Sequence, residues 1–417
     1  MIRRSWPFAA LVFAVHAMQA AAAEPLVGYH AKTSVQSATR LDWVFALANQ
    51  SPAKPPANWL ADYDSTATQY ELFVPPSAKS RKPAPLILFI SAGDAPAGWS
   101  QWQAACKQAG FVFASPYGAG NGTPMQRRVR IVLDVLDDVG RRTPIDPDRT
   151  YLAGFSGGAR VAVAITFALP EYFGGAIGVC GAEDLREESW LRRRVADRLS
   201  VALITGEQDF NQGELERLRG PLLTDVGVRT KVWTFAKMGH AIPDSQTATP
   251  VLKWLDEAAA DRGRAARQWP AMRIAVGDPP SRTEWADALL KESQQRLQKP
   301  ATLFSGLMQL QGLSTRWADV PAAAAARKLL AEYDGRTDRP WEQEDIAEQR
   351  RFLIAQARAV DRYGSGPLPA QYEKQRADMI RGALKLWQQV LDDAPESPAG
   401  KEAAQRIGEL KGRASGS

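Results

Sequence analysis

The chain has 417 residues, 45% of them apolar and 24% charged. That is the balance of a globular protein of about two to three domains, and it excludes disordered, collagen-like and disulfide-scaffold classes. Lys and Arg total 52 against 46 acidic residues, a net charge of +6; the two signs are interleaved along the chain, which excludes a nucleic-acid footprint.

Taken in order, residues 1–23 come first. Arg3 and Arg4 precede an apolar run from Trp6 to Met18, and small residues Ala20 to Ala23 follow. This is the layout of a secretory signal peptide cleaved after Ala23. The apolar run is shorter than the ~20 residues a membrane span needs, and no later segment reads as transmembrane. The expected location is therefore periplasmic or secreted. Outside this leader the chain has two cysteines, Cys106 and Cys180. An oxidising compartment permits a bridge between them; two buried free thiols are the favoured alternative, because both lie in apolar segments.

From residue 24 to 262 short apolar runs alternate with helical stretches. The strands expected are Tyr70–Val74, Leu86–Ser91, Phe111–Ser115, Thr150–Ala153, Gly175–Cys180, Val201–Thr205 and Arg229–Phe235. Helices are expected at Trp99–Ala109, Val129–Val139, Gly157–Phe167, Glu187–Leu199 and Pro250–Ala260. Several strands are near-continuously apolar, as strands buried on both faces are. The alternation predicts an α/β fold, a mostly parallel sheet flanked by helices. Residues 263–280, with Pro279-Pro280, read as a linker. Ser281-Arg-Thr-Glu284 then reads as a capping box that opens a helix, and residues 281–417 carry only helical patterning. Within them Leu313–Gly335 echoes Val390–Gly412 at an offset of 77, matching Pro321 to Pro398 and Ala326 to Ala403. The echo has the look of tetratricopeptide-type helical hairpins.

The chemistry concentrates in Gly154-Phe155-Ser156-Gly157-Gly158. A strand before this string and a helix after it make the strand–turn–helix setting of a nucleophile elbow. Ser156 needs a general base, most often histidine. Outside the leader only His30 and His240 are available. His240 follows the last predicted strand, between Gly239 and Pro243, whereas His30 precedes every predicted strand. Asp209, after Val201–Thr205, is the natural acid to orient the imidazole; Glu207, Glu183 and Asp184 are rivals at strand ends. Ser156, Asp209 and His240 occur in the order Ser…Asp…His, each after a strand of one sheet, so all three would share one rim. The two histidines show no metal-ligand spacing, and neither a metal nor a cofactor is expected.

The phrase Ile145-Asp-Pro-Asp148-Arg149-Thr-Tyr-Leu-Ala-Gly-Phe-Ser156-Gly-Gly is similar to the elbow of secreted esterases of the α/β-hydrolase fold, in the branch of the polyhydroxybutyrate depolymerases and feruloyl esterases. The resemblance implies an oxyanion hole. One donor would be the Gly157 N–H, and the other Ala92 or Gly93 in the loop Ser91-Ala-Gly-Asp94. That loop lacks the His-Gly pair common in such enzymes, but backbone N–H groups are what the hole requires. The resemblance also places a large lid, where one exists, between the strands that here end at Cys180 and start at Val201. Only Glu183–Ser200 lie between them, which implies an open cleft. Trp99 and Trp102 are candidates for lining it, or for packing the helix they belong to. Arg160 in the elbow helix is a candidate for an anionic substrate, or for a structural ion pair. The function expected is an exported serine hydrolase acting on a small-molecule or polymer ester. The alternatives are a peptidase of the same fold, or an inactive scaffold carrying a helical module for a protein partner.

Overall fold

The computed structural model describes residues 26–47, 60–79, 82–265 and 281–415. The leader at 1–23 and most of the linker lie outside the described residues. Eight strands form one sheet: β1 (Gly28–Ser34), β2 (Gln69–Val74), β3 (Ala84–Ile90), β4 (Val112–Pro116), β5 (Ile145–Phe155), β6 (Gly175–Val179), β7 (Ser200–Gly206) and β8 (Arg229–Phe235). Their spatial order is β1-β2-β4-β3-β5-β6-β7-β8. β1 and β2 run antiparallel at one edge, and the strands from β4 to β8 are parallel. Every residue of β3 and β7 is buried, which is why β3 and the Val201–Ile204 stretch of β7 read as apolar runs.

The helices follow the chain as α1 (Trp43–Ala46), α2 (Trp99–Ala109), α3 (Met125–Arg142), α4 (Gly157–Ala168), α5 (Ser189–Arg198), α6 (Gly220–Val226), α7 (Ser245–Glu257) and α8 (Ala259–Ala265). α2 and α7 cover one face of the sheet, with Trp102, Cys106, Val251 and Leu255 in its core. α3, α4, α5 and α6 cover the other. No helix among the described residues is long and apolar enough to cross a membrane. The two cysteines are separate, buried, free thiols; burial pushes the Cys106 thiol up to about 12.

Several elements depart from the sequence reading: α1, α6 and most of α8 were not expected, α3 runs past both expected ends, and three further departures have a clear physical reason. β1 was not expected, because it is an edge strand: Gly-Tyr-His-Ala-Lys-Thr-Ser is mostly exposed and carries no apolar run. β5 begins at Ile145 rather than Thr150, its first residues pairing with Ala84 across an irregularity in the ladder. α7 begins at Ser245 rather than Pro250, because Asp244 caps it by accepting from the Thr247 N–H. Such a cap satisfies donors that would otherwise be orphaned.

The C-terminal region holds six α-helices among the described residues: α9 (Arg282–Leu297), α10 (Pro300–Arg316), α11 (Pro321–Asp334), α12 (Glu342–Ser365), α13 (Arg376–Asp393) and α14 (Pro398–Ser415). Ser281 and Glu284 form the expected capping box at α9. The two echoing segments each run from the end of one helix into a next helix that starts on proline, and Ala326 and Ala403 are both fully buried. The region packs on the sheet's α5/α6 side. Phe352, Ala355 and Ala359 of α12 enter the core beneath the sheet, and Trp190 and Leu191 of α5 join the core of α9–α11. Deeper still, Glu171, in the turn after α4, is fully buried and paired with Arg316 of α10.

Candidate active site

β5 turns into α4 through Ser156, whose φ of 55° lies in the left-handed region and whose ψ is −120°. A non-glycine residue held there is strained, and such strain persists only where its surroundings over-determine it. The surroundings are close-packed backbone. A side chain at Gly154 would come within 2.5 Å of the Gly158 carbonyl group, and one at Gly158 within 2.8 Å of the Ser91 carbonyl oxygen. Glycine on both sides therefore lets the end of β5, the start of α4 and the loop after β3 touch. Gly158→Ala is expected to cost about 1–3 kcal/mol by overpacking against backbone that has no rotamer to yield. Thermal melting checks this, and a loss below about 0.5 kcal/mol would show that the loop gives way.

Parallel strands bring three loop ends together on this rim. His240, in the loop after β8, places Nε2 2.9 Å from Ser156 Oγ and Nδ1 2.8 Å from Asp209 Oδ1. Asp209 lies in the loop after β7 and is buried. It accepts from Thr205 Oγ1 at 2.7 Å and from the Asn211 N–H at 3.0 Å. Burial pushes its carboxyl up, but the Asn211 N–H, His240, the Cys180 thiol and the Thr205 hydroxyl outweigh this and hold it below the usual carboxylate range. An ionised Asp209 keeps the proton on His240 Nδ1, so Nε2 is left to accept from the serine.

The histidine loop is held from both sides. Gln208 N–H donates to the Met238 carbonyl at 3.0 Å, and Trp102 Nε1 donates to the Pro243 carbonyl at 3.0 Å. Trp102 is thus a core anchor for the loop rather than a pocket lining. Trp99 is half-buried and packs on Phe73, Phe113 and Tyr29. The imidazole lies between Phe155 and Phe210, at ring distances of 4.9 and 4.0 Å, and Phe210 is 45% exposed.

The rivals lie elsewhere. Glu207 faces the Lys237 N–H at 3.4 Å, Asp184 pairs with Arg219, and Glu183 accepts from the Asp184 N–H. His30 sits on β1, opposite Leu72 at the far edge of the sheet. Arg160 pairs with Glu214 at 2.8 Å, which is the structural ion pair.

The loop after β3 separates its two candidate donors. The Gly93 N–H is already engaged by Ser91 Oγ at 3.0 Å. The Ala92 N–H has no acceptor among the described residues, while the Ala92 carbonyl accepts from the Asn121 N–H at 2.8 Å. Gly157 is the first residue of α4, where an N–H has no partner within the helix and the dipole favours negative charge.

Two neighbours escaped the sequence reading. Asn121 places its side-chain amide against Gly157; its loop, Gly118-Ala-Gly-Asn-Gly122, signals only a turn. Cys180 carries φ 56°, and its thiol, the Asp209 carboxylate and a His240 ring nitrogen lie within 4.8 Å of one another. Phe155 and Phe210 were legible only as neighbours of Ser156 and Asp209.

The strand order and the elbow define an α/β-hydrolase fold followed by a helical region. No protein-family model matches the chain, and no curated protein matches it. Among solved structures it is similar to a thermostable esterase, at 20% identity and a TM-score of 0.34, covering 46% of this chain and 59% of that one. It is also similar to the S-formylglutathione hydrolase FrmB from Staphylococcus aureus, at 14% identity and a TM-score of 0.36, covering 45% and 92%. Esterase 2 of Thermogutta terrifontis matches at 16% and 0.36, covering 48% and 91%. The chain thus spans only about three-fifths of the first of these.

Proposed function

We propose that the chain is an exported serine hydrolase that cleaves carboxylic esters. The observation that carries the reading is the unbroken contact from Ser156 Oγ through His240 to Asp209, at 2.9 and 2.8 Å. His240 Nε2 takes the Ser156 proton as Oγ attacks the acyl carbon, and then returns it to the leaving alcohol. Water, deprotonated by the same nitrogen, releases the acyl group. The N–H groups of Gly157 and Ala92 hold the oxyanion, in a site where fixed donors are worth more than water. Export rests on the leader pattern of residues 1–23.

The test is labelling of the purified protein with a fluorophosphonate probe, beside Ser156→Ala and His240→Ala. Labelling that requires both residues supports an activated serine. A folded wild-type protein that stays unlabelled overturns the reading. Ester and amide panels then separate an esterase from a peptidase.

Asn121 supplies a second check. Its amide is exposed, has no side-chain hydrogen bond among the described residues and lies against Gly157, so truncation would remove a polar group beside the oxyanion site. Asn121→Ala is expected to lower kcat up to about 10²-fold, within the range for losing one oxyanion-site group. An unchanged kcat would place Asn121 outside the reaction.

A further inference from the structure

We propose that Cys180, Asp209 and His240 form an inhibitory binding site for a soft divalent cation of the zinc or cadmium kind. The effect on turnover rests on the function proposed above; the binding does not. Three donors of different elements, S, O and N, come from the loops after β6, β7 and β8 and lie mutually within 4.8 Å. Thiolate, carboxylate and imidazole are the ligand set such ions take, in tetrahedral geometry. Metal–ligand distances of roughly 2.0–2.3 Å put tetrahedral donors roughly 3.3–3.8 Å apart. The sulfur, within 4.8 Å of the other two donors, therefore has to close by at most about an ångström. The cluster has to open by about half an ångström between His240 Nδ1 and Asp209 Oδ1.

A second observation points to the same place. Asn211 is buried and ties the cluster together, donating from its N–H to Asp209 Oδ1 and from Nδ2 to the Cys180 carbonyl, at 3.0 and 2.9 Å. Its Oδ1 is buried with no hydrogen-bond partner. A buried acceptor without a donor is costly, and this one sits on the residue that bridges two of the three ligands. The route in lies past the imidazole, whose side chain is 20% exposed.

Binding displaces one proton, that of the Cys180 thiol, which leaves to solvent. The imidazole proton moves from Nδ1 to Nε2, and the Nδ1 lone pair goes to the ion. Nε2 then presents N–H to Ser156 Oγ and has no lone pair with which to take the serine proton. The ion thus stops catalysis by setting the wrong tautomer, without touching the serine.

The experiment titrates Cd²⁺ into the full-length protein and into Cys180→Ser. It follows the ultraviolet thiolate-to-cadmium band and, in parallel, the rate of fluorophosphonate labelling. One equivalent is expected to produce the band in the wild type and to suppress labelling, with EDTA restoring it. Cys180→Ser is expected to lose the band and, as a change to a direct ligand, to bind more weakly by at least the ~10–100-fold that outer partners alone cost. Should that variant fold poorly, cadmium X-ray absorption on the wild type decides, because the site requires one sulfur ligand per ion. No band, no sulfur ligand, or an undiminished band in Cys180→Ser overturns the proposal. A band on a protein that never labels would leave the cation site standing and sink the hydrolase reading; labelling that persists at full rate once the band is complete would leave the hydrolase reading standing and overturn the inhibition.

Discussion

Ser156→Ala and His240→Ala are each expected to lower kcat on an ester substrate by about 10⁶-fold, and Asp209→Asn by about 10⁴-fold. The first two remove the nucleophile or its base. The third leaves the geometry in place but destabilises the tautomer that keeps Nε2 free. The losses should not add, because the three groups act as one unit; a triple variant that falls far below the worst single one would contradict this. Asp209 also carries a pH signature. Its carboxyl is held below the ordinary value, so it contributes stability that is fully present above the unfolded-chain value of about 4 and is lost as pH falls through the lower folded value. Asp209→Asn has no such term. The stability gap between wild type and Asp209→Asn is therefore expected to narrow from neutral to acid pH, read by urea unfolding across that range; a constant gap would show that the carboxylate is not preferentially stabilised in the fold.

The second large effect is structural. Arg316→Ala is expected to cost about 3–5 kcal/mol, because it leaves the buried Glu171 charge with only the more distant Arg194 as partner. Burial pushes the Glu171 carboxyl up, but Arg316 and Arg194 outweigh this and hold it below the usual range. Burial lowers the Arg194 guanidinium to about 10, and at 3.8 Å it is the more distant partner. Arg316 also approaches Asp42 at 3.7 Å, so one guanidinium ties the helical region, the turn after α4 and the N-terminal segment together. Urea unfolding of Arg316→Ala should separate into two transitions, with the helical region released first. Replacing both partners, as in Glu171→Gln with Arg316→Met, should recover part of the loss, since the fully buried carboxylate is no longer left without Arg316, although Arg194 and Asp42 each lose one partner. A single-variant cost under about 1 kcal/mol would mean that water reaches the pair.

Local patterning made most of the elements of the sheet domain legible. β3 and the Val201–Ile204 stretch of β7 are apolar because both faces are covered, and α4 follows Ser156 because the glycines beside the serine permit the turn. β1 was hidden for the converse reason: an edge strand with one exposed face needs no apolar run. The choice among acids was also beyond local patterning. Asp209, Glu207, Glu183 and Asp184 all follow strands, and only the packing of the loops after β7 and β8 puts Asp209, and none of the others, beside His240.

The sequence by itself therefore determined the α/β alternation, the strained turn at Ser156 and the chain order of serine, acid and histidine, all set by periodicity and by which residues tolerate a given φ. Tertiary structure alone decided which side chains meet across loops far apart in the chain. It committed the Gly93 N–H to Ser91 and left that of Ala92 open, brought Asn121 over Gly157 and Cys180 beside Asp209, and buried Glu171 under a helix that begins 129 residues later. Such contacts depend on where the sheet's rim and its helical faces lie in space, which no local run of residues encodes.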